Sequence, residues 1–457
     1  MGRFSDRFGI LALHTLIWTL PFGLFYVFEQ PSVSQRFYLQ IAVSTIALFY
    51  FASCWLGRRL HLPRNAVLGA AILYGLCTTA SSIGARSGLF TIKQAAFLWC
   101  CVLLLAVITH LRLSRRQCRQ LLASFVFIAG ICALYGVVQY LGIDIHWGGV
   151  GYADEVKMGK YYVLSLMGHP NYVTAYIGPA LLLCPGLIAA SPGRRMKTAL
   201  GVTAGIIALC IFVAGTRSAW LGTLLVGGVL IALVAVERRP LRISRRVLGV
   251  AFVVACVFSL FIIQNPLVPQ RYSFTRRLTE ARPVESRLYF YVAAIRMIAK
   301  HPLLGVGYNN YGVEFWDYTA TLQENPDNRV YSYILEDMGG IRADQTHNEY
   351  LQIAAETGLL GLATFFLLVV VFFGRFWNDY RHARIWHDRL LLAGMAGAVA
   401  FLLVDCLFSF PLRLPCSSFV FWLALGIGSR YARPETLVVS AGKEGQRESQ
   451  AGAAAGG

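Results

Sequence analysis

The sequence predicts an all-α, polytopic integral membrane protein with about twelve transmembrane helices. Hydrophobic residues fill 56% of the 457 positions and charged residues only 14%, and the mean hydropathy is +0.56. A soluble protein carries roughly a quarter charged residues. The apolar runs are long enough to cross a membrane and do not alternate, which favours helices over barrel strands. The predicted spans lie near 8–28, 37–56, 66–83, 93–110, 121–141, 172–190, 198–214, 217–236, 247–264, 349–373, 390–410 and 416–429.

The basic residues predict the orientation of these helices. The chain has 41 Lys and Arg against 23 Asp and Glu, a net charge of +18. Placing the N-terminus in the cytoplasm also places most of the basic residues there, as the positive-inside rule requires. We therefore expect both termini in the cytoplasm and no binding of nucleic acid. The first apolar run is too long for a cleavable signal peptide and predicts a membrane helix.

The spacing of the spans divides the chain into four parts. Residues 1–264 carry helices 1–9, residues 265–348 form a large helical loop on the outer side, and residues 349–431 carry helices 10–12. Residues 432–457 are rich in Gly, Ala, Ser and Glu, which predicts a disordered cytoplasmic tail. A loop as long as 265–348 is usually functional. Within it, Val284–His301 predicts an amphipathic helix that places Arg287 and Arg296 on opposite faces.

A histidine at the end of the large loop is a candidate general base. His347 lies in the run Thr346-His347-Asn348-Glu349, and Thr346 and Glu349 match a capping box. This pattern predicts that His347 occupies the first turn of the tenth membrane helix. The positive end of that helix would favour a neutral imidazole, and Asp344 would act in the opposite direction. The alternative is an interfacial histidine without a chemical role.

Two arginines are candidate ligands for a phosphate. Arg217, in Gly-Thr-Arg-Ser-Ala-Trp, begins the eighth helix, where backbone N–H groups and a guanidinium can converge on an anion. Arg287 lies in Glu-Ser-Arg on the predicted loop helix. The alternatives are an arginine that extends to the membrane interface and an arginine on a solvated helix face.

Six further residues could support such a site. Tyr and Asn are common sugar-contacting residues, although turns and helix caps also explain these positions, and an aspartate inside a membrane helix usually has a partner or a function. No pattern indicates a metal or nucleotide site, and we interpret the eleven cysteines as packing residues. The supporting candidates are His169, Asn171, Tyr308, Asn309, Asn348 and Asp405.

The order of these motifs resembles the bacterial O-antigen ligase and O-antigen polymerase family. The resemblance rests on Arg217 in G-T-R-S-A-W, Arg287 in E-S-R, H-P-L-L-G-V-G at 301–307, and His347 in H-N-E-Y-L-Q followed by E-T-G at 356–358. It implies a metal-independent glycosyltransferase of GT-C type with its active site on the periplasmic side of the bacterial inner membrane. The implied donor is an undecaprenyl-pyrophosphate-linked glycan. By the same resemblance, His347 activates the acceptor, Arg217 and Arg287 bind the donor pyrophosphate, and no cofactor is needed.

The resemblance leaves the acceptor open. We favour an O-antigen ligase that transfers the glycan to a sugar hydroxyl of lipid A-core in lipopolysaccharide biosynthesis, with inversion at the sugar carbon. The basic half of the large loop, from Arg271 to Lys300, would suit such a phosphate-rich acceptor. An O-antigen or exopolysaccharide polymerase and a protein O-oligosaccharyltransferase are the alternatives. A transporter of lipid-linked glycans fits less well, because the candidate residues lie at helix ends rather than at the membrane midplane.

Overall fold

A computed structural model describes residues 2–23, 30–58, 65–143, 163–236, 282–319 and 343–431, and every regular element in these ranges is helical. The predicted ninth span at 247–264, the basic stretch before Arg282 and the predicted tail at 432–457 lie outside the described residues. The helices are α1 (Gly2–Thr19), α2 (Pro31–Leu56), α3 (Ala66–Ala80), α4 (Gly88–His110), α5 (Arg115–Tyr140), α6 (Pro170–Ala190), α7 (Arg194–Ala214), α8 (Arg217–Val236), α9 (Arg282–Lys300), α10 (Tyr311–Thr319), α11 (Glu349–His382), α12 (Trp386–Asp405) and α13 (Pro415–Gly428).

The helices confirm a polytopic membrane protein. Within the described ranges, eight helices are long and apolar enough to cross a membrane, and two shorter apolar helices, α8 and α13, accompany them. α1 carries charged residues near its start and is not among the eight. The helix predicted at Val284–His301 is confirmed as α9, and it is not apolar enough to span.

The bundle is centred on α6 and α12, which pack along each other and contact α7, α8 and α13. Small residues allow the backbones of α6 and α12 to approach closely. A Cβ atom on Gly186 would lie 2.6 Å from the Cα of Leu391, and one on Gly394 would lie 2.9 Å from the carbonyl oxygen of Leu182. Membrane helices associate through close packing of this kind, since apolar burial gives little preference between a lipid and another helix.

A kink in α11 connects the membrane bundle to α9 and α10, the two loop helices. Gly358 has φ 68° and ψ −176°, so the helix breaks there and frees backbone groups. The turn after α9 satisfies them. The amide of Leu359 donates to the carbonyl of Pro302 at 2.8 Å, and the amides of Val306 and Gly307 donate to the carbonyls of Ala355 and Glu356 at 3.0 and 2.8 Å. The run H-P-L-L-G-V-G therefore docks onto the E-T-G segment.

The two loop helices have a small core of their own. Phe290, Ala293, Ala294 and Met297 of α9 pack with aromatic residues of α10 and with Ala355 of α11. Arg296 donates to the carbonyl of Tyr318 at 3.0 Å and so points toward α10. This core and the kink fix the face of α9 that carries Arg287.

Candidate active site

His347 lies just before α11, and the predicted capping box is wrong. The N-cap of α11 is Asn348, whose side chain accepts a hydrogen bond from the amide of Leu351 at 3.1 Å. Thr346 instead donates to the carbonyl of Asn348 at 2.6 Å, and Glu349 pairs with an arginine described below. His347 is consequently outside the first helical turn. Its φ of 57° is uncommon for a residue other than glycine and is typical of functional sites held by their surroundings.

Aromatic rings surround the His347 imidazole. Its centroid lies 6.0 Å from the ring of Phe290 on α9 and 5.2 Å from the ring of Phe410, which follows α12. Its Nδ1 is buried and has no hydrogen-bond partner among the residues that the structure describes. A buried polar atom without a partner is uncommon and indicates a group that can receive a ligand or a proton.

A second histidine lies close to the first. His169 is the N-cap of α6, and its Nδ1 accepts a hydrogen bond from the amide of Asn171 at 3.1 Å. An imidazole that accepts at Nδ1 carries its proton on Nε2 and can donate only from there. The centre of its ring lies 5.0 Å from that of Tyr172, and the two rings are tilted by 41°. The Tyr172 ring in turn lies 5.9 Å from the ring of Phe410. The two histidines are thus joined through one aromatic cluster.

Arg287 acts on both histidines. Desolvation lowers the pKa of His347 to about 4, and the positive charge of Arg287 and the neighbouring His169 contribute further. Desolvation and Arg287 likewise lower the pKa of His169 to about 4. Both imidazoles are therefore neutral at neutral pH. The pKa of Arg287 is itself lowered by desolvation, partly offset by Tyr291 and Asp405.

The start of α8 brings a second arginine to the same place. Gly215 has φ 68°, a left-handed conformation that reverses the chain between α7 and α8. The next turn places Arg217 where its charge opposes that of Arg287, and Ser218 where it acts on Asp405. Two guanidinium groups that repel each other beside a helix N-terminus form a favourable site for an anion.

Asp405 lies at the end of α12 and is 1% exposed. Arg287 and the Ser218 hydroxyl act on it electrostatically, and neither of its oxygens meets the geometry of a hydrogen bond with a described residue. The carboxylate therefore contributes a buried negative charge next to Arg287. A charge buried in this way orients the guanidinium and limits the repulsion between the two arginines.

The structure brings together residues that the sequence separates widely. His347, Arg287, Arg217, His169 and Asp405 come from five segments and interact at one end of the bundle. Asn348 caps α11 and interacts with Tyr291 of α9, and the amide of Asn171 donates to the side chain of His169, which caps α6.

Tyr308 and Asn309 belong to a different cluster, which the sequence motifs did not predict. Arg413 pairs with Glu349 at 2.9 Å and with Glu356 at 2.8 Å, and the side chains of these three residues are 7%, 2% and 0% exposed. We call these three residues the ion cluster.

The ion cluster holds the turn that contains Tyr308 and Asn309. Arg413 lies 5.0 Å from the Tyr308 ring, and the amide of Asn309 donates to Glu356 at 2.8 Å. Burial opposes the charge of Arg413, but Glu356 and Glu349 more than compensate, so the pKa of Arg413 is raised. The available signal was Glu349 and Glu356 spaced seven residues apart, which places both on one face of a helix.

Fold and site together define a multi-pass membrane protein with a buried histidine–arginine centre at one end of its bundle. Among the described residues, no three His, Cys, Asp or Glu side chains form a group that could hold a metal ion. A model of the O-antigen ligase family matches residues 202–366, a region that contains Arg217, Arg287 and His347. This match confirms the predicted resemblance of the chain to the O-antigen ligase and polymerase family.

A curated relative agrees with this family. The chain is 26% identical over 273 residues to the exopolysaccharide production protein ExoQ of Rhizobium meliloti. The alignment covers 57% of this chain and 54% of the relative, so the chain spans about half the length of the relative that it matches.

Proposed function

We propose that this protein transfers a glycan from undecaprenyl pyrophosphate to a sugar hydroxyl, with its site on the periplasmic side of the inner membrane and both termini in the cytoplasm. The observation that supports it most strongly is a neutral, partly buried His347 next to Arg287, with Arg217 close by. A neutral imidazole can accept a proton, and two arginines suit a pyrophosphate leaving group.

The chemistry is a single displacement. The acceptor hydroxyl oxygen forms a bond to the anomeric carbon of the donor sugar while the bond from that carbon to the pyrophosphate oxygen breaks. His347 takes the hydroxyl proton, and Arg287 and Arg217 stabilise the charge that develops on the pyrophosphate. A positioned base contributes about 10²–10⁴-fold. Direct displacement inverts the configuration, and no metal ion or nucleotide is required.

Donor binding also prepares the base. In the unliganded protein the charge of Arg287 lowers the pKa of His347. A pyrophosphate on Arg287 neutralises that charge, which raises the pKa of His347 and makes it a stronger base. His347 therefore becomes a stronger base only when the donor is bound, and without the donor its imidazole stays unprotonated.

The proposed acceptor is a sugar of lipid A-core, as in an O-antigen ligase, the description under which residues 202–366 match. A polymerase is the second candidate, because the relative is named for exopolysaccharide production. In a polymerase the acceptor is a further repeat of the same glycan. The lipid tails would lie against the apolar outer faces of the membrane helices, and the glycan would lie at the end of the bundle.

The test is a reconstituted transfer assay with purified full-length protein, undecaprenyl-pyrophosphate-linked glycan and lipid A-core. The assay contains a chelator and no nucleotide. We expect wild type to form glycosylated lipid A-core, His347→Ala to form none, and His382→Ala, an exposed histidine at the end of α11, to behave as wild type.

Two outcomes would change the proposal. Longer chains on undecaprenyl pyrophosphate without modified lipid A-core would identify a polymerase. Transfer by His347→Ala at the wild-type rate would refute the role of His347.

A further inference from the structure

A polar cavity lies on the opposite side of α9 from the reaction centre, which is the cluster of His347, Arg287 and Arg217. Its volume is about 600 Å³, and it is open on one side. It is formed by the connection after α3, the end of α9, the turn that follows α9, and α10. Its lining residues are Ile83, Gly84, Ala85, Arg86, Arg296, Lys300, His301, Val306, Glu314, Asp317 and Tyr318.

The cavity is separate from the site described above. None of its lining residues is His347, His169, Arg217, Arg287 or Asp405. Arg287 and Arg296 are nine residues apart on one helix, which at about 100° per residue places them on opposite faces. The width of α9, about 10–12 Å with side chains, therefore lies between the cavity and the reaction centre.

The cavity walls carry donors and acceptors whose positions are fixed. Arg296 is held by the carbonyl of Tyr318 at 3.0 Å, and the Lys300 ammonium lies 5.3 Å from the centre of the Tyr318 ring. Glu314 is 8% exposed and lines the cavity. A buried carboxylate that faces a cavity is an acceptor for ligand hydroxyl groups.

The rim of the cavity can open to a ligand at low cost. Arg86 pairs with Asp317 at 2.6 Å, but the two side chains are 67% and 57% exposed. An exposed ion pair of this kind contributes little to stability. A ligand that supplies hydroxyl or carboxylate groups can replace it with hydrogen bonds of equal strength.

From this arrangement we propose that the cavity is a glycan-binding subsite that holds a short oligosaccharide segment away from the bond that reacts. The mixed lining fits a polyhydroxylated ligand: basic side chains donate, Glu314 and Asp317 accept, and Tyr318 offers a ring edge for sugar carbons. The volume lies within the range of about 300–1,000 Å³ of small-molecule sites. A lipid tail would need an apolar lining, and the two carboxylates disfavour a nucleotide.

The subsite deepens the proposed function, since a glycan long enough to pass α9 would be held at two places. Bound sugars in the cavity restrict the chain, so that its reactive end stays near His347. Such remote binding contributes to the reaction by positioning, without contact to the reacting atoms. Loss of a cavity contact should therefore lower kcat/KM for long glycans more than for glycans too short to reach the cavity.

The test measures binding without transfer. Lipid-free oligosaccharides, released by mild acid from the surface polysaccharide of the host cell, are titrated into the purified full-length protein in detergent by calorimetry. We expect wild type to bind, and Glu314→Gln and Lys300→Gln each to weaken binding about tenfold, as for the loss of one hydrogen bond to a charged group. Lys93→Gln, on the exposed face of α4, is the matched control.

Each outcome decides the proposal. Equal binding by wild type, Glu314→Gln and Lys300→Gln, or no binding by wild type, would overturn it. A change in melting temperature separates unfolding from a lost contact. If transfer fails but glycan binding persists and depends on the cavity residues, the proposed function is refuted and the subsite stands. If transfer is normal but the cavity variants bind glycan like wild type, the subsite is refuted and the proposed function stands.

Discussion

Removal of Arg413 should destabilise the protein more than removal of any exposed arginine. Arg413 is the cation of the ion cluster, and the side chains of Glu349 and Glu356 are 2% and 0% exposed. Arg413→Met keeps the unbranched apolar part of the side chain but leaves both carboxylates without their cation. Breaking a buried ion pair in this way costs about 3–5 kcal/mol. Arg86→Met, which breaks an exposed pair, should cost about 0–1 kcal/mol.

The assay is unfolding in mixed micelles with increasing SDS, followed by tryptophan fluorescence and compared with wild type. A triple variant, Arg413→Met with Glu349→Gln and Glu356→Gln, tests the cause, because replacing a whole buried ion cluster is often neutral. We expect the triple variant to recover most of the lost stability. If Arg413→Met is no less stable than Arg86→Met, or if the triple variant recovers nothing, the reasoning about an uncompensated charge is refuted.

The cluster also affects the reaction centre. Glu349 lies two residues after His347, and its amide donates to the carbonyl of Cys406 at 2.8 Å, next to Asp405. Loss of Arg413 therefore shifts the segment that holds the base. We expect kcat of Arg413→Lys to fall while the protein stays folded, since a lysine cannot bond both carboxylates in the geometry of a guanidinium.

Three further predictions follow from particular contacts. Because the pKa of His347 is lowered to about 4, kcat/KM should fall with acid near that pH. In Arg287→Gln the loss of the positive charge should raise the pKa of His347, so the fall should begin at higher pH. An unchanged pH profile would contradict this. Gly358→Ala should destabilise the protein by about 1–3 kcal/mol in SDS titration, because the new Cβ would lie 2.1 Å from the carbonyl oxygen of Leu303. Gly374→Ala should change little, because open space surrounds Gly374. His169→Asn should keep the cap of α6 and the melting temperature of wild type, while transfer activity falls if the imidazole contacts substrate; wild-type activity would assign His169 to capping alone.

The membrane helices could be predicted from the sequence because each signal is local. Long apolar runs, a Pro at a helix start and basic residues at one end of a span act within one segment. The amphipathic pattern of α9 was sufficient to place Arg287 and Arg296 on opposite faces. The capping box predicted from Thr346 and Glu349 was wrong, because tertiary contacts of these side chains compete with the cap.

Glu349 shows why the rest could not be predicted. A carboxylate three residues after a threonine usually closes a capping box, but the buried Arg413 offers a stronger partner, sixty-four residues further along the chain. Asn348 then provides the cap. In the same way Tyr308 and Asn309 carry residue types that suit sugars, and only the contact with Arg413 and Glu356 reveals their structural role.

Directional polar contacts, rather than apolar burial, set the distance between Arg287 and His347. α9 and α10 share a small core, and such a core tolerates small rotations because apolar contacts have no preferred direction. The three backbone hydrogen bonds at the α11 kink and the two ion pairs of Arg413 do have preferred directions. They fix the end of α9 against the segment that carries His347. It follows that variants which preserve hydrophobicity but break these bonds should lose catalytic activity before they lose the fold, and that Arg413 and Gly358 matter to the reaction although neither would touch the substrate.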